Sequence, residues 1–233
     1  MPYKIHDRDL RGKTKTGWLD SWHTFSFGSF RDPERVRFRS LRVINEDIVI
    51  PGAGFPTHPH DNMEIITYML SGALAHKDSM GNGAVIRPGE IQKMSAGSGV
   101  THSEFNASND NPAHLVQIWI MPNVRDIEPG YEQITVDDAQ ARAGFTLVGG
   151  PENMPNVVSI RQDARLYLAR PAAGQTIHHA FAPGRGGFLQ VLRGELEVEG
   201  ARLKEGDGLE ISDVATLTLT AQADSEAMLF DLG

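Results

Sequence analysis

The segment Leu70-Ser71-Gly72-Ala73-Leu74 returns as Leu192-Arg193-Gly194-Glu195-Leu196, and the segment Pro88–Ser95, with its turn Pro88-Gly89, returns as Glu205–Ser212, with its turn Glu205-Gly206. Self-similarity of this kind restricts a chain to architectures in which one supersecondary unit is built twice. Around these glycines lie short runs rich in β-branched and large apolar residues: Leu41–Ile44, Glu64–Leu70, Ala84–Ile86, Ile91–Met94 and Leu115–Met121. Such runs, punctuated by Gly81-Asn82-Gly83 and Pro88-Gly89, predict strands joined by turns. Val136–Ala143 is the best helix candidate and is short. The expected fold class is all-β: two stacked antiparallel β-barrels with few short helices.

Two pairs of ligand-type residues sit in the first copy, His58-Pro59-His60 and, 44 residues further, His102-Ser103-Glu104. On a strand, residues i and i+2 project from one face, so each pair aims two such side chains in one direction. Pro59 stiffens the first pair, and Gly97 and Gly99 let the chain turn before the second. One pair alone is usually surface or hydrogen-bonded. Two pairs of equal spacing facing each other in a small barrel bring three imidazoles and a carboxylate together, a donor set for a divalent transition metal. His23, His76 and His114 have no partner at this spacing and are expected to be hydrogen-bonded or exposed. His178 and His179 are adjacent, so on a strand they point to opposite faces and make no chelating pair.

The two copies differ in one hairpin: Gly72 and Gly89 lie 17 positions apart, Gly194 and Gly206 only 12. Aligned across that difference, His58 and His60 fall on Ala180 and Ala182, and His102 and Glu104 on Leu219 and Ala221. The expected division is an N-terminal metal-binding barrel over 1–133, a linker region over 134–159 with an exposed loop at Gly149–Pro155, and a degenerate C-terminal barrel without metal ligands over 160–233.

Composition removes several function classes. A chain without cysteine has no disulfide, thiolate metal site, Fe–S cluster or Cys nucleophile. Its N-terminus shows no apolar signal segment and no run approaches a membrane span, so a cytoplasmic location and no membrane partner are expected. A net charge of −8 opposes nucleic-acid binding. The arginines of Arg31–Arg42 alternate with other residues as on the solvent face of a strand.

The residues Gly17–Phe27, His58-Pro59-His60 through Glu64, Tyr68–Gly72, Asp78–Gly81, Met94–Glu104 and Gln117–Ile120 together resemble the pirin family, in order and over nearly the whole first half. This resemblance implies a bicupin, with a metal in the N-terminal barrel and a degenerate C-terminal one. By length and its short second half, the chain looks closest to bacterial pirin-like quercetin 2,3-dioxygenases. Many cupins complete the metal shell with the glutamate of the first motif, here Glu64; pirins use that of the second, here Glu104. Geometry agrees, since Glu104 shares a strand face with His102, whereas Glu64 stands ~13 Å beyond His60 unless a bulge or bend returns it. The expected ligands are His58, His60, His102 and Glu104, with Glu64 supporting or structural. Asn106 is expected to hold a ligand or the strand's backbone in place.

The resemblance implies one divalent transition metal, Fe(II) foremost, with Ni, Cu, Co, Mn or Zn open to the same donors. It implies a small aromatic, flavonol-like substrate and O₂, with Glu104 doubling as catalytic base. Phe55, Met63, Met94, Phe105 and Met121 are the candidate walls of the substrate pocket, each also able to serve as ordinary core. Trp18, Trp22, Phe25 and Phe27 alternate as a half-buried strand packing on the barrel exterior would. The competing reading is a metal-dependent regulatory protein acting on a transcription factor or metabolic enzyme as its protein partner. An isomerase on the same scaffold is a third, since fold alone does not select chemistry.

Overall fold

The short apolar runs become antiparallel strands in the computed structural model, which describes residues 2–151 and 154–233. In chain order they are β1 (Tyr3–His6), β2 (Gly12–Lys15), β3 (Leu19–His23), β4 (Leu41–Val49), β5 (Gly54–His60), β6 (Glu64–Ser71), β7 (Leu74–Asp78), β8 (Gly83–Ile86), β9 (Glu90–Ser95), β10 (Val100–Asn106), β11 (Ala113–Ile120) and β12 (Gly130–Thr135). Then come α1 (Asp138–Ala143), β13 (Thr146–Gly150), β14 (Val158–Ser159), β15 (Ala164–Ala169), β16 (Thr176–Ala180), β17 (Gly186–Arg193), β18 (Glu195–Val198), β19 (Ala201–Lys204), β20 (Gly208–Ile211), β21 (Thr216–Ala221) and β22 (Glu226–Leu232). The helix starts two residues later than the pattern predicts because Asp137 caps it, its carboxylate accepting from the Gln140 amide at 3.1 Å. Among the described residues, no helix is long and apolar enough to cross a membrane.

Two compact units result. One holds Gly12–Thr135 with the described part of Glu152–Gln162; the other holds the described part of Met1–Arg11, Val136–Pro151 and Asp163–Gly233. The first residues and most of the stretch read as linker thus pack with the C-terminal unit. β1 pairs with β20 and β13 with β15, which places Gly149 and Gly150 in buried strand rather than exposed loop.

Each unit is a jelly-roll of two sheets rather than a closed barrel. In the N-terminal unit the larger sheet runs β12-β9-β6-β11-β4-β3-β2 and the smaller β5-β10-β7-β8. In the C-terminal unit the same orders return as β1-β20-β17-β22-β15-β13 and β16-β21-β18-β19. The duplicated glycines mark the equivalent β6–β7 and β17–β18 corners. Gly72 has φ +74° and Gly194 φ +76°, and a Cβ on either would lie 2.5 Å from a backbone oxygen, that of Pro112 or of Asp224. Only glycine fits that approach and that dihedral.

Strand register corrects the alignment of the two copies. Leu74 pairs with Asn106 and its equivalent Leu196 with Ala221, so Glu104 and His102 correspond to Leu219 and Leu217. His102 faces His58 and Leu217 faces His179, so His58 corresponds to His179 and His60 to Phe181. The earlier offsets fail because the connections before β16 and β21 have changed length along with the hairpin. The interiors diverge accordingly. In the C-terminal unit an apolar cluster gathers Leu189, Leu196, Leu217, Leu219 and Leu229. In the N-terminal unit apolar clusters around Met69 and Leu115 and around Ile65 and Met94 stand beside buried polar side chains and a cavity.

Candidate metal centre

The first histidine pair lies on β5, an edge strand of the smaller sheet, where Pro56 and Pro59 are tolerated because an edge leaves backbone N–H groups unpaired. β10 lies against it with His102 opposite His58, and the register shifts between His102 and Glu104 so that Glu104 faces Phe55. Gly54 permits this closeness, since a Cβ there would stand 2.2 Å from the Glu104 carbonyl oxygen.

The rings of His58, His60 and His102 pack on one another with centroid separations of 4.5–4.9 Å. His58 Nδ1–H donates to the Pro56 carbonyl at 2.8 Å, which leaves the Nε2 lone pair facing His102 Nε2 at 3.0 Å. Burial, and then the neighbouring His58, hold the His60 ring down to about 4. Burial, followed by His58, His60 and His76, holds His102 down to about 3. Both are therefore neutral donors at physiological pH. Among the described residues, His102 Nδ1 is buried without a hydrogen-bond partner.

Glu104 is 1% exposed. Gln117 Nε2 donates to its Oε2 at 2.8 Å and Thr67 Oγ1 to its Oε1 at 3.4 Å, while Trp119 Nε1 fixes Gln117 by donating to its oxygen at 3.2 Å. Burial pushes the Glu104 carboxyl up to about 7. Among the described residues, two overlapping groups have ligand atoms within 4.8 Å of one another: His58, His60 and His102, and then His76, His102 and Glu104. His102 belongs to both. His76, read from sequence as an ordinary histidine, thus stands beside the cluster, with its Nε2 3.3 Å from Asp78 Oδ2. Three imidazoles, those of His60 and His102 neutral, and one buried carboxylate fit a divalent transition metal.

Glu64 is drawn away into a buried ion pair. Its Oε2 accepts from Ser95 Oγ at 2.9 Å and from the Arg161 amide at 3.3 Å, with Lys93 Nζ at 3.9 Å. Asn106 holds backbone, donating to the carbonyls of Val49 and Asn111 at 3.0 and 2.9 Å. In the C-terminal unit His179, the counterpart of His58, is hydrogen-bonded to Asp231 at 2.9 Å and enclosed by Tyr167 and Phe181.

A cavity of about 320 Å³ opens on the cluster, lined on that side by His58, His60, Glu104, Gln117 and Trp119. Leu19, Phe27, Phe55 and Pro56 give it apolar walls, and Thr14, Ser21, His23, Asn45 and Asp47 a polar one. Phe55 is the one expected wall residue found there. Met94 is fully buried in the cluster with Ile65, against which Met63 packs. Phe105 projects outward at 39% exposure, because its parity on β10 is opposite to that of His102 and Glu104. Met121 follows β11 and lies near Arg37. Phe27, expected on the exterior, lies edge-on to Trp119 at the cavity wall. The walls missed in the sequence include inward positions of β3, β4 and β11, whose polar members Ser21, Asn45, Asp47 and Gln117 interrupt otherwise core-facing strands.

The pirin family model matches residues 5–120, and the quercetinase C-terminal cupin domain matches residues 147–232. Quercetin 2,3-dioxygenase of Escherichia coli (strain K12) is 44% identical over 222 residues, 95% of each chain. The pirin-like protein of Caulobacter vibrioides is 39% identical over 224 residues, 96% of each chain. The crystal structure of the bacterial pirin YhhW from Escherichia coli in complex with nickel(II) superimposes with a TM-score of 0.94 at 41% identity, covering 99% of this chain and 98% of that one.

Proposed function

Because this chain belongs to the pirin family, we propose that it is a metal-dependent dioxygenase that cleaves flavonols such as quercetin with O₂ and releases CO. The observation that carries this reading is the convergence of His58, His60 and His102 beside buried Glu104, at the head of a cavity walled by aromatic rings. His58, His60, His102 and Glu104 would hold one divalent ion. When bound there, such an ion supplies Lewis acidity and redox capacity to the bound substrate and O₂. Iron(II) is the working metal of the proposal; a relative forms a nickel(II) complex, and the donors suit either.

The chain's own residues do the rest. Phe27, Phe55 and Trp119 hold a flat ring system and exclude water from it. Glu104, oriented by Gln117, takes the proton of the flavonol 3-hydroxyl when its carboxylate is free of the ion. Catalysis belongs to the N-terminal unit. The C-terminal unit is its degenerate copy, and a cysteine-free chain of this kind suits the cytoplasm.

The test is to strip the protein of metal, reload it separately with Fe(II), Ni(II), Cu(II) and Zn(II), and follow quercetin loss together with CO. One CO per quercetin consumed, abolished in His60→Ala and His102→Ala, is the expected result. Stoichiometric metal without turnover on any ion sinks the reading and favours the regulatory one.

A further inference from the structure

β4 carries an inward series, Val43, Asn45, Asp47 and Val49, whose first and last members are core residues. Asp47 does not fit such a series. It is 3% exposed and lines the same cavity as His58, His60 and Glu104, yet among the described residues its Oδ1 has no hydrogen-bond partner. Its neighbours across the sheet are Ser21 on β3, which hydrogen-bonds its side chain, and apolar Leu115 on β11.

The polar groups around it are already engaged. Asn45 Oδ1 accepts from His23 Nδ1 at 2.8 Å, and His23 Nε2 accepts from Thr14 Oγ1 at 2.8 Å. Gln117 is held between Trp119 and Glu104. Among the described residues, Asp47 Oδ1 is thus a buried acceptor on this wall that is left for something else. A carboxyl buried without a cation costs stability, and packing alone would place an aliphatic residue there. Such a liability inside a cavity is expected where binding requires it.

We propose that Asp47 is a specificity-determining residue of this cavity. It accepts a hydrogen bond from a substrate hydroxyl other than the one that Glu104 deprotonates, and so selects polyhydroxylated flavonols over those bearing the 3-hydroxyl alone. This assignment rests on the dioxygenase reading for its substrate class. Its physical basis is that a buried acceptor is satisfied by a phenolic O–H and left unpaired by an analogue lacking it, which is a strong ground for rejection.

The experiment compares quercetin with 3-hydroxyflavone on wild type, on Asp47→Leu, which has similar shape and no acceptor, and on Asp47→Asn, which keeps an acceptor oxygen. Binding is measured by calorimetry on the nickel-loaded protein without oxygen, and KM and kcat in turnover. The expected result is that Asp47→Leu weakens quercetin about tenfold or more, leaves 3-hydroxyflavone unchanged and does not lower Tm, with Asp47→Asn in between. Equal weakening of both flavonols, or no preference for quercetin in wild type, overturns the assignment. Preferential binding that Asp47→Leu abolishes, without turnover on any metal, would support the subsite while the dioxygenase reading fails.

Discussion

His58 Nε2 and His102 Nε2 stand 3.0 Å apart across paired strands. Burial keeps the His102 ring neutral, and two ring nitrogens at this distance are placed to share a third atom. Alanine at His58, His60 or His102 should reduce bound metal from one equivalent to nearly none by elemental analysis, with Tm of the stripped protein little changed. Alanine at His76 should keep the metal, because its Nε2 is directed to Asp78. The reverse pattern, metal lost at His76 and kept at His58, would move the ion to the group of His76, His102 and Glu104.

The two roles proposed for Glu104, ligand and base, separate by substitution. Asp would shorten the side chain, whereas Gln keeps its length and removes its charge. Glu104→Gln should weaken metal by at least about tenfold and abolish quercetin turnover even at saturating metal. A Glu104→Ala protein that holds its metal and remains active would refute the base.

The neighbouring Glu64 belongs to stability. Lys93 Nζ lies 2.9 Å from Glu132 and 2.8 Å from Ser95 Oγ, so it neutralises two carboxylates in a buried setting. Lys93→Met would leave them facing each other and should cost about 3–5 kcal/mol in urea unfolding. Glu64→Gln should retain a full equivalent of metal; loss of metal on that change would return Glu64 to the coordination shell.

Asp47 gives the pH dependence. Burial raises its carboxyl to about 7, so the folded chain binds this proton more tightly than the unfolded chain does. Its contribution to stability is largest below the unfolded value of about 4 and is lost as pH rises through 7. Asparagine does not titrate. The advantage of Asp47→Asn over wild type should therefore grow between pH 5 and pH 8, by an amount on the order of a few kcal/mol at most. An advantage that shrinks over this range would contradict the sign.

The duplicated corner predicts equal costs in both halves. Gly72→Ala and Gly194→Ala each meet a backbone oxygen and an unfavourable dihedral. Each should cost about 1–3 kcal/mol in denaturant, with comparable values for the two. A neutral result at either would show that the corner relaxes.

The gathering of His58, His60, His102 and Glu104 was legible because i, i+2 spacing on a strand is a direct statement about direction. The repeat was legible because Gly72 and Gly194 stand where no other residue fits. The cavity wall was harder to read. Phe105 stands next to Glu104 in sequence, yet adjacent strand residues face opposite ways; Asp47 and Asn45 lie 55 and 57 positions before His102 and meet the cluster through sheet closure. The register of the second copy was hidden by loops of unequal length, which strand pairing resolves and sequence similarity at two glycines does not.

The replacement of His60, His102 and Glu104 by Phe181, Leu217 and Leu219 has a consequence for assembly. The same double sheet closes around aliphatic and aromatic side chains in one half and around imidazoles in the other, so its backbone needs no ion as a template. Folding and metallation are then separate events. The ion that such a chain carries would be decided after folding, by which metal the surroundings deliver to a pocket already in place.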